Sequence, residues 1–277
     1  MNFTVFGSTG FIGSHLRDYL RSKGIDVFCP ERNVDLTTLR GLGHVVYCIG
    51  LTADFREKPF ETIEAHICKL KHVLQVCEFE SFTYLSSTRV YIHSSNDVDE
   101  ESLIPVSAAN PFDLFNSSKL TGELLTLNCG KENCKVVRVS NVYGNDFASK
   151  NFLTSILQSA IHTGKIVLRT TPDSAKDYIA IDDVTRMLFE ISSTGKSKIY
   201  NLASGVNTSN EQICRIIQLE TGCIIEYAPA AEQIIFPKIQ VTKMTNEFGF
   251  APSVEMGVSL KKIIADFKIL ANDTKPG

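Results

Sequence analysis

Short apolar runs alternate with amphipathic stretches from the first residues of this chain. Residues 3–6, 25–29, 44–49, 82–86 and 135–139 are compact apolar runs with the length of buried strands. Between the first two, Phe11, Ile12, His15, Leu16, Tyr19 and Leu20 recur at helical spacing up to Gly24. Residues 59–77 predict a long helix with Pro59 in its first turn and Phe60, Ile63, Ile67, Leu70, Val73 and Leu74 on its apolar face. Residues 113–128 predict another. Strands that are apolar throughout and alternate with helices form parallel sheets covered on both faces, so the expected fold class is α/β with a doubly wound parallel sheet. After about Tyr143 the rhythm loosens around Gly144-Asn145-Asp146 and Thr171-Pro172-Asp173-Ser174. Helices are expected near 151–162, 182–193, 209–221 and 257–270, strands near 198–202 and 223–228, and a frayed segment over 271–277.

Composition narrows the possibilities. With 277 residues and 43% hydrophobic content, the chain can fill one large domain, or a large domain with a smaller lobe. A formal charge of −3 without a lysine-arginine cluster lacks the footprint of a nucleic-acid binder. No apolar run approaches the ~20 residues that span a bilayer, so neither nucleic acid nor a membrane is an expected partner. Eight cysteines without a C-x-x-C pair read as reduced core thiols and give no metal site. No basic stretch precedes the apolar residues 3–6, so a signal peptide is not expected and a cytoplasmic location is.

The first chemical signal is Gly7-Ser8-Thr9-Gly10-Phe11-Ile12-Gly13, set between the first strand and the first helix. Gly7 and Gly10 allow a tight turn and close approach of a pyrophosphate, the open N–H groups of the helix start attract its oxygens, and Gly13 lets helix and strand pack closely. A dinucleotide site is therefore expected at Gly7, Thr9, Gly10, Phe11, Ile12 and Gly13. No Gly-Lys-Ser/Thr follows, which excludes a P-loop. Cofactor choice falls to Glu31, which suits the ribose hydroxyls of NAD, and Arg32, which suits the 2′-phosphate of NADP; NAD is slightly preferred. Asp35 and Leu36, on an expected short third strand, are candidate adenine-side contacts. Ile49-Gly50-Leu51 should pass beneath the cofactor's ribose.

The second signal is spread along the chain. Tyr84-Leu85-Ser86-Ser87-Thr88-Arg89-Val90-Tyr91 ends a strand in a hydroxyl cluster, and Phe115-x-x-x-Lys119 follows on a helix, ahead of Glu123. Further along stand Arg138-Val139-Ser140-Asn141-Val142-Tyr143-Gly144, Lys176-Asp177-Tyr178-Ile179-Ala180-Ile181-Asp182-Asp183-Val184, Tyr200-Asn201-Leu202-Ala203-Ser204-Gly205 and Phe248-Gly249-Phe250-x-Pro252. In that order these segments resemble the extended short-chain dehydrogenase/reductase family of nucleotide-sugar epimerases, dehydratases and ketoreductases, over nearly the whole chain. The resemblance implies a dinucleotide-binding (Rossmann) domain over 1–148 and a smaller C-terminal substrate-binding lobe over 149–277, with 177–203 returning to the first domain. It also implies a nucleotide-diphosphate sugar as substrate, a role in polysaccharide biosynthesis, and a homodimer formed through two helices, one of them carrying Phe115.

By the same resemblance Ser87 hydrogen-bonds the reacting sugar oxygen, while Lys119 binds the nicotinamide ribose and lowers the pKa of a tyrosine one helical turn before it. Without the resemblance, Ser86 and Ser87 read as caps of a strand-end turn. Thr88, Arg89, Asn141, Arg169 and Tyr178 are the implied sugar and diphosphate contacts, and Arg169 also reads as an exposed strand-end charge. The tyrosine position is Phe115, which has no proton to give. Three accounts follow: an engineered tyrosine replacement, favoured by the survival of Ser87, Lys119 and the glycine turn; a homologue that binds without chemistry; or recruitment of Tyr91, Tyr143 or Tyr178 as the acid. Thr88-Arg89 stands where the family's 4,6-dehydratases carry Asp-Glu, which disfavours dehydration. A 4-epimerase or 4-ketoreductase lineage is the expected activity, and a non-catalytic sensor of cofactor or sugar nucleotide is the alternative.

Overall fold

In the computed structural model, residues 1–52, 54–95, 97–147, 149, 151–253 and 255–273 are described. Strands β1 (Asn2–Phe6), β2 (Asp26–Phe28), β3 (His44–Tyr47), β4 (Ser81–Ser87), β5 (Cys134–Val139) and β9 (Ile199–Leu202) form one sheet in the order β2-β1-β3-β4-β5-β9. Every pairing in it is parallel. The order reverses direction at β1 and β3, and a parallel sheet places ligands at such a switch point, beyond the strands' carboxyl ends.

Helix α1 (Phe11–Ser22) covers one face together with α6 (Ile181–Thr194). The other face is covered by α3 (Lys69–Val76) and α4 (Asp113–Leu127), with α2 (Pro59–Ile63) packed beside α4. Further on, β6 (Asn141–Tyr143), β8 (Ala175–Ala180) and β10 (Asn207–Ser209) make a three-stranded sheet, and β7 (Lys165–Thr170) pairs with β11 (Ile224–Glu232). Beside these strands α5 (Phe152–Thr163), α7 (Asn210–Thr221) and α9 (Met256–Asp273) enclose a second core of Leu157, Ile166, Ile213, Ile217, Leu260 and Ile264. Helix α8 (Thr242–Phe248) packs against β9. Ser209 and Gln212 close a reciprocal capping box on α7, and Asn151 caps α5.

Three local readings of the sequence are corrected. The expected third strand at Asp35-Leu36 is a single 3₁₀ turn, Leu36–Thr38, because the Asp35 carboxylate accepts bonds from both the backbone N–H and the hydroxyl of Thr37. The helix over 59–77 is interrupted at Glu64–Cys68 by a π turn. The inserted residue rotates the buried face: Thr62, Ala65 and His66 point inward, Ile63 and Ile67 are half-buried, and Phe60 is 85% exposed. Helix α9 continues to Asp273, so only 274–277 of the expected frayed segment lie outside the described residues.

Candidate active site

All the chemistry-bearing segments of the first half emerge at one edge of the main sheet. Gly7 follows β1, residues 49–51 follow β3, Ser87 ends β4 and Asn141 follows β5. Gly7 has φ +80°, a conformation that L side chains rarely adopt, and its missing Cβ would meet the Cys48 carbonyl carbon at 2.9 Å. A Cβ at Gly13 would overlap the Gly7 carbonyl. Gly10 is the N-cap of α1 without a side-chain bond, and the first helical N–H to find a partner is that of Ser14. The N–H groups of Phe11, Ile12 and Gly13 therefore remain open for anionic oxygens. Thr9 and Gly10 are exposed beside them. These features fit a dinucleotide pyrophosphate. Glu31 and Arg32 both lie exposed beyond β2, on either side of the choice between NAD and NADP. Asp35 is engaged in its own turn and Leu36 is buried beneath it.

Helix α4 carries the other half of the site. Its inward face buries Asp113, Asn116, Ser118, Lys119 and Glu123, an expensive polar set unless every member is used. Lys119 is 5% exposed; its ammonium donates to the Leu85 carbonyl at 2.9 Å and lies 5.1 Å from the Tyr84 ring centroid. A Cβ at Gly50 would come within 3.3 Å of this ammonium. Gly50 thus leaves open the approach to Lys119. Burial pulls the Lys119 pKa down to about 8, with Glu123 opposing the shift.

That shift has a measurable consequence. The folded protein releases this proton near pH 8 and the unfolded chain near its ordinary value of 10.5. Between those values the unfolded chain carries more protons, so the contribution of this group to stability rises with pH. In denaturant unfolding, the stability of the native chain relative to Lys119→Met should climb from pH 8 to pH 10.5. A difference independent of pH would contradict the assignment.

Phe115, one helical turn before Lys119, is 3% exposed. Its ring meets Phe55 at 5.3 Å and the edge of His66 at 5.5 Å. The π turn carries His66 into this position. Its Nε2 accepts from the Leu51 N–H at 3.2 Å, and so its Nδ1 donates to Ser118 Oγ at 2.8 Å. Burial, reinforced by the Lys119 charge, pushes its pKa down to about 2 and keeps it neutral. His66 therefore ties the loop after β3 to α4, and it offers no proton at neutral pH.

Ser86 and Ser87 divide the two roles open to them. Ser86 Oγ donates to Glu123, within the structure. Ser87 Oγ accepts from the Arg89 N–H at 3.2 Å and caps a 3₁₀ turn, and its own proton has no acceptor among the described residues. Beneath them Glu123 accepts a forked pair of bonds from Arg138, at 2.7 Å from Nη2 and 3.1 Å from Nε. Burial works against the Arg138 charge, but Glu123 outweighs it and holds the pKa above its usual value. Arg138 Nη1 reaches the Tyr91 hydroxyl at 2.6 Å, whose remaining contacts are the Asp99 carbonyl and Asn201 Oδ1. Tyr91 is thus committed to the framework.

The other tyrosines considered as substitutes for a missing phenol stand in the second core, Tyr178 near Cys214 and Tyr143 with its hydroxyl toward Ser259. Tyr178 is 5% exposed on β8, its ring beneath Lys176 and its hydroxyl without a hydrogen-bond partner among the described residues. Thr88 is also buried, and Arg169 lies exposed on the two-stranded sheet. Asn141 is half-buried, its amide donating to the Asp177 carbonyl at 2.8 Å. The residues that sequence reasoning passed over are His66 and Phe55, together with the partnership of Glu123 and Arg138. An arginine within the buried run Cys134–Val139 was the available signal, because it demands a carboxylate.

Residues 3–203 match the family model described as the NAD dependent epimerase/dehydratase family. UDP-glucuronate 4-epimerase 1 of Arabidopsis thaliana is 24% identical over 336 residues, covering 94% of this chain and 75% of the relative. Other curated relatives are spanned over less than two thirds of their length. Among solved structures, UDP-glucose 4-epimerase of Thermotoga maritima with UDP-glucose superposes with a TM-score of 0.83 at 20% identity, over 98% of this chain and 100% of that one. UDP-glucuronic acid 4-epimerase of Bacillus cereus, as a tyrosine-to-phenylalanine mutant with a fluorinated UDP-sugar and NAD, gives 0.81 at 20% identity, over 98% and 100% of the two chains.

Proposed function

Since the chain belongs to the NAD dependent epimerase/dehydratase family, we propose that it binds NAD and a nucleotide-diphosphate sugar, and that its lineage chemistry is epimerisation or keto reduction at sugar C4. One observation carries this reading: α4 brings a buried Lys119, without an ion pair among the described residues, under the Gly50 loop, one turn after Phe115 and onto the Leu85 carbonyl of β4, the strand that ends at Ser87. The UDP-sugars named with the structural relatives support the ligand class. NAD, when bound, supplies the acceptor and donor for hydride at the sugar carbon.

The residues of this chain then divide the remaining work. Phe11, Ile12 and Gly13 present N–H groups to the pyrophosphate. Lys119 hydrogen-bonds the nicotinamide ribose. Ser87 donates to the reacting sugar oxygen, holding it against Phe115. Phe115 fills the proton-transfer position without being able to take or return a proton, so binding persists and turnover is slow. The alternative of a sugar-nucleotide sensor rests on the same Phe115. On this reading residues 1–148 bind the dinucleotide and 149–277 close over the sugar.

The cofactor half is tested by calorimetric titration of NAD and NADP into the native chain and into Gly13→Val. The native chain should bind NAD, the tighter of the two cofactors. The variant should lose at least about tenfold in affinity, because its side chain displaces the glycine turn from the pyrophosphate. A native chain that binds neither dinucleotide would contradict the assignment.

A further inference from the structure

The wall beside Phe115 carries more positive charge than the protein neutralises. Phe55, which packs on Phe115, is flanked by the guanidinium groups of Arg56 and Arg89, each 5.7 Å from its ring centroid. Arg56 also lies 4.9 Å from the Phe112 ring and stands at the exposed rim. Arg89 is half-buried, and its Nε has no hydrogen-bond partner among the described residues. From β8, Lys176 lies over the rings of Phe152 and Tyr178 at 4.8 and 5.3 Å, close enough to Arg89 for their charges to repel.

The carboxylate facing Arg89 is Asp113, and its oxygens already accept from His93, Asn116 and the Ser107 N–H. Burial, then the charge of Arg56, lowers the Arg89 pKa; burial, then the charge of Arg89, brings Lys176 down to about 8. Desolvated like charges around an open guanidinium fork are unfavourable until an anion joins them. Arg89 stands two residues after Ser87, whose hydroxyl accepts its backbone N–H, and so belongs to the end of the site where the sugar reacts.

Resting on the nucleotide-sugar reading above, we propose that Arg89 grips a carboxylate on the sugar itself, with Arg56 at the rim and Lys176 behind it, so that this chain selects nucleotide sugars of the uronate class. A planar guanidinium with a free edge matches a carboxylate in two parallel bonds, and a neutral hydroxymethyl group cannot replace it. The occupied Asp113 stays with its three donors, while the incoming carboxylate relieves the repulsion among the cations.

The test is calorimetric titration of the NAD-loaded chain with UDP-glucuronic acid, UDP-glucose and UDP alone, repeated on Arg89→Gln and Arg89→Lys after thermal melts confirm folding. The native chain should prefer the acidic sugar by about tenfold or more. Arg89→Gln should erase that preference, lowering the affinity for UDP-glucuronic acid by about tenfold more than that for UDP-glucose or UDP, and Arg89→Lys should retain part of it. No preference in the native chain overturns the proposal. So does an equal loss for all three ligands in Arg89→Gln, which would assign Arg89 to the diphosphate. Failure of all three ligands to bind the native NAD-loaded chain would overturn the nucleotide-sugar reading along with it.

Discussion

Phe115→Tyr is expected to raise turnover of a nucleotide sugar in the presence of NAD by about 10²–10⁴-fold, the usual worth of a placed general acid–base. That gain corresponds to about 3–5 kcal/mol of barrier. The position is prepared for it. The ring is buried against Phe55 and His66, and the Lys119 cation stands one turn away on the same helix; on the proposed reading Ser87 donates to the sugar oxygen. A cation this close lowers the pKa of a phenol toward neutrality. Among the described residues the candidate substitutes are engaged elsewhere: His66 is held neutral, the Tyr91 hydroxyl is committed to Arg138 and Asn201, and Tyr143 and Tyr178 belong to the second core. Steady-state assays of both chains against UDP- and dTDP-sugars measure the gain. Unchanged turnover with intact binding would favour the sensor reading.

The largest loss of stability is expected from Glu123→Ala. This change strips the buried Arg138 of its forked partner and the Ser86 hydroxyl of its acceptor in one step. Removing one member of a buried ion pair leaves an uncompensated charge and costs about 3–5 kcal/mol. The strain would reach Tyr91 and the Glu100 carbonyl, because Arg138 Nη1 holds both. Replacing both partners, as Glu123→Leu with Arg138→Leu, should recover much of the loss, since an apolar pair removes the stranded charge. Urea unfolding of the native chain and the two variants checks this. A cost below about 1 kcal/mol for Glu123→Ala would show that Arg138 finds other partners.

The alternation of apolar strands and amphipathic helices was enough to anticipate the parallel sheet, because strands buried on both faces have little freedom of composition. The glycine turn was equally legible: Gly7 and Gly13 are required by backbone approach, and no other residue fits. Less visible were features whose cause lies in tertiary contact. The π turn at His66 has no periodic signature, since one inserted residue looks like ordinary helix until Ser118 and Leu51 take up the imidazole. Asp35 reads equally as strand or turn, and its hydrogen bonds to Thr37 decide for the turn. In the second half β9 and β11 were legible as apolar runs, whereas β10 escaped notice because it is only three residues long. Tyr178 carries a family landmark, but its place in the motif did not reveal that its ring packs in the second core beneath Lys176.

The central claim is that Phe115 withholds proton transfer while leaving the nucleotide-sugar site assembled. The most direct measurement is the affinity of UDP-sugars for the NAD-loaded native chain beside that for NAD-loaded Phe115→Tyr. Dissociation constants within about threefold of each other are expected, a difference under 1 kcal/mol, with rapid turnover confined to the tyrosine variant. A native chain that binds no sugar nucleotide while the variant binds tightly would contradict it.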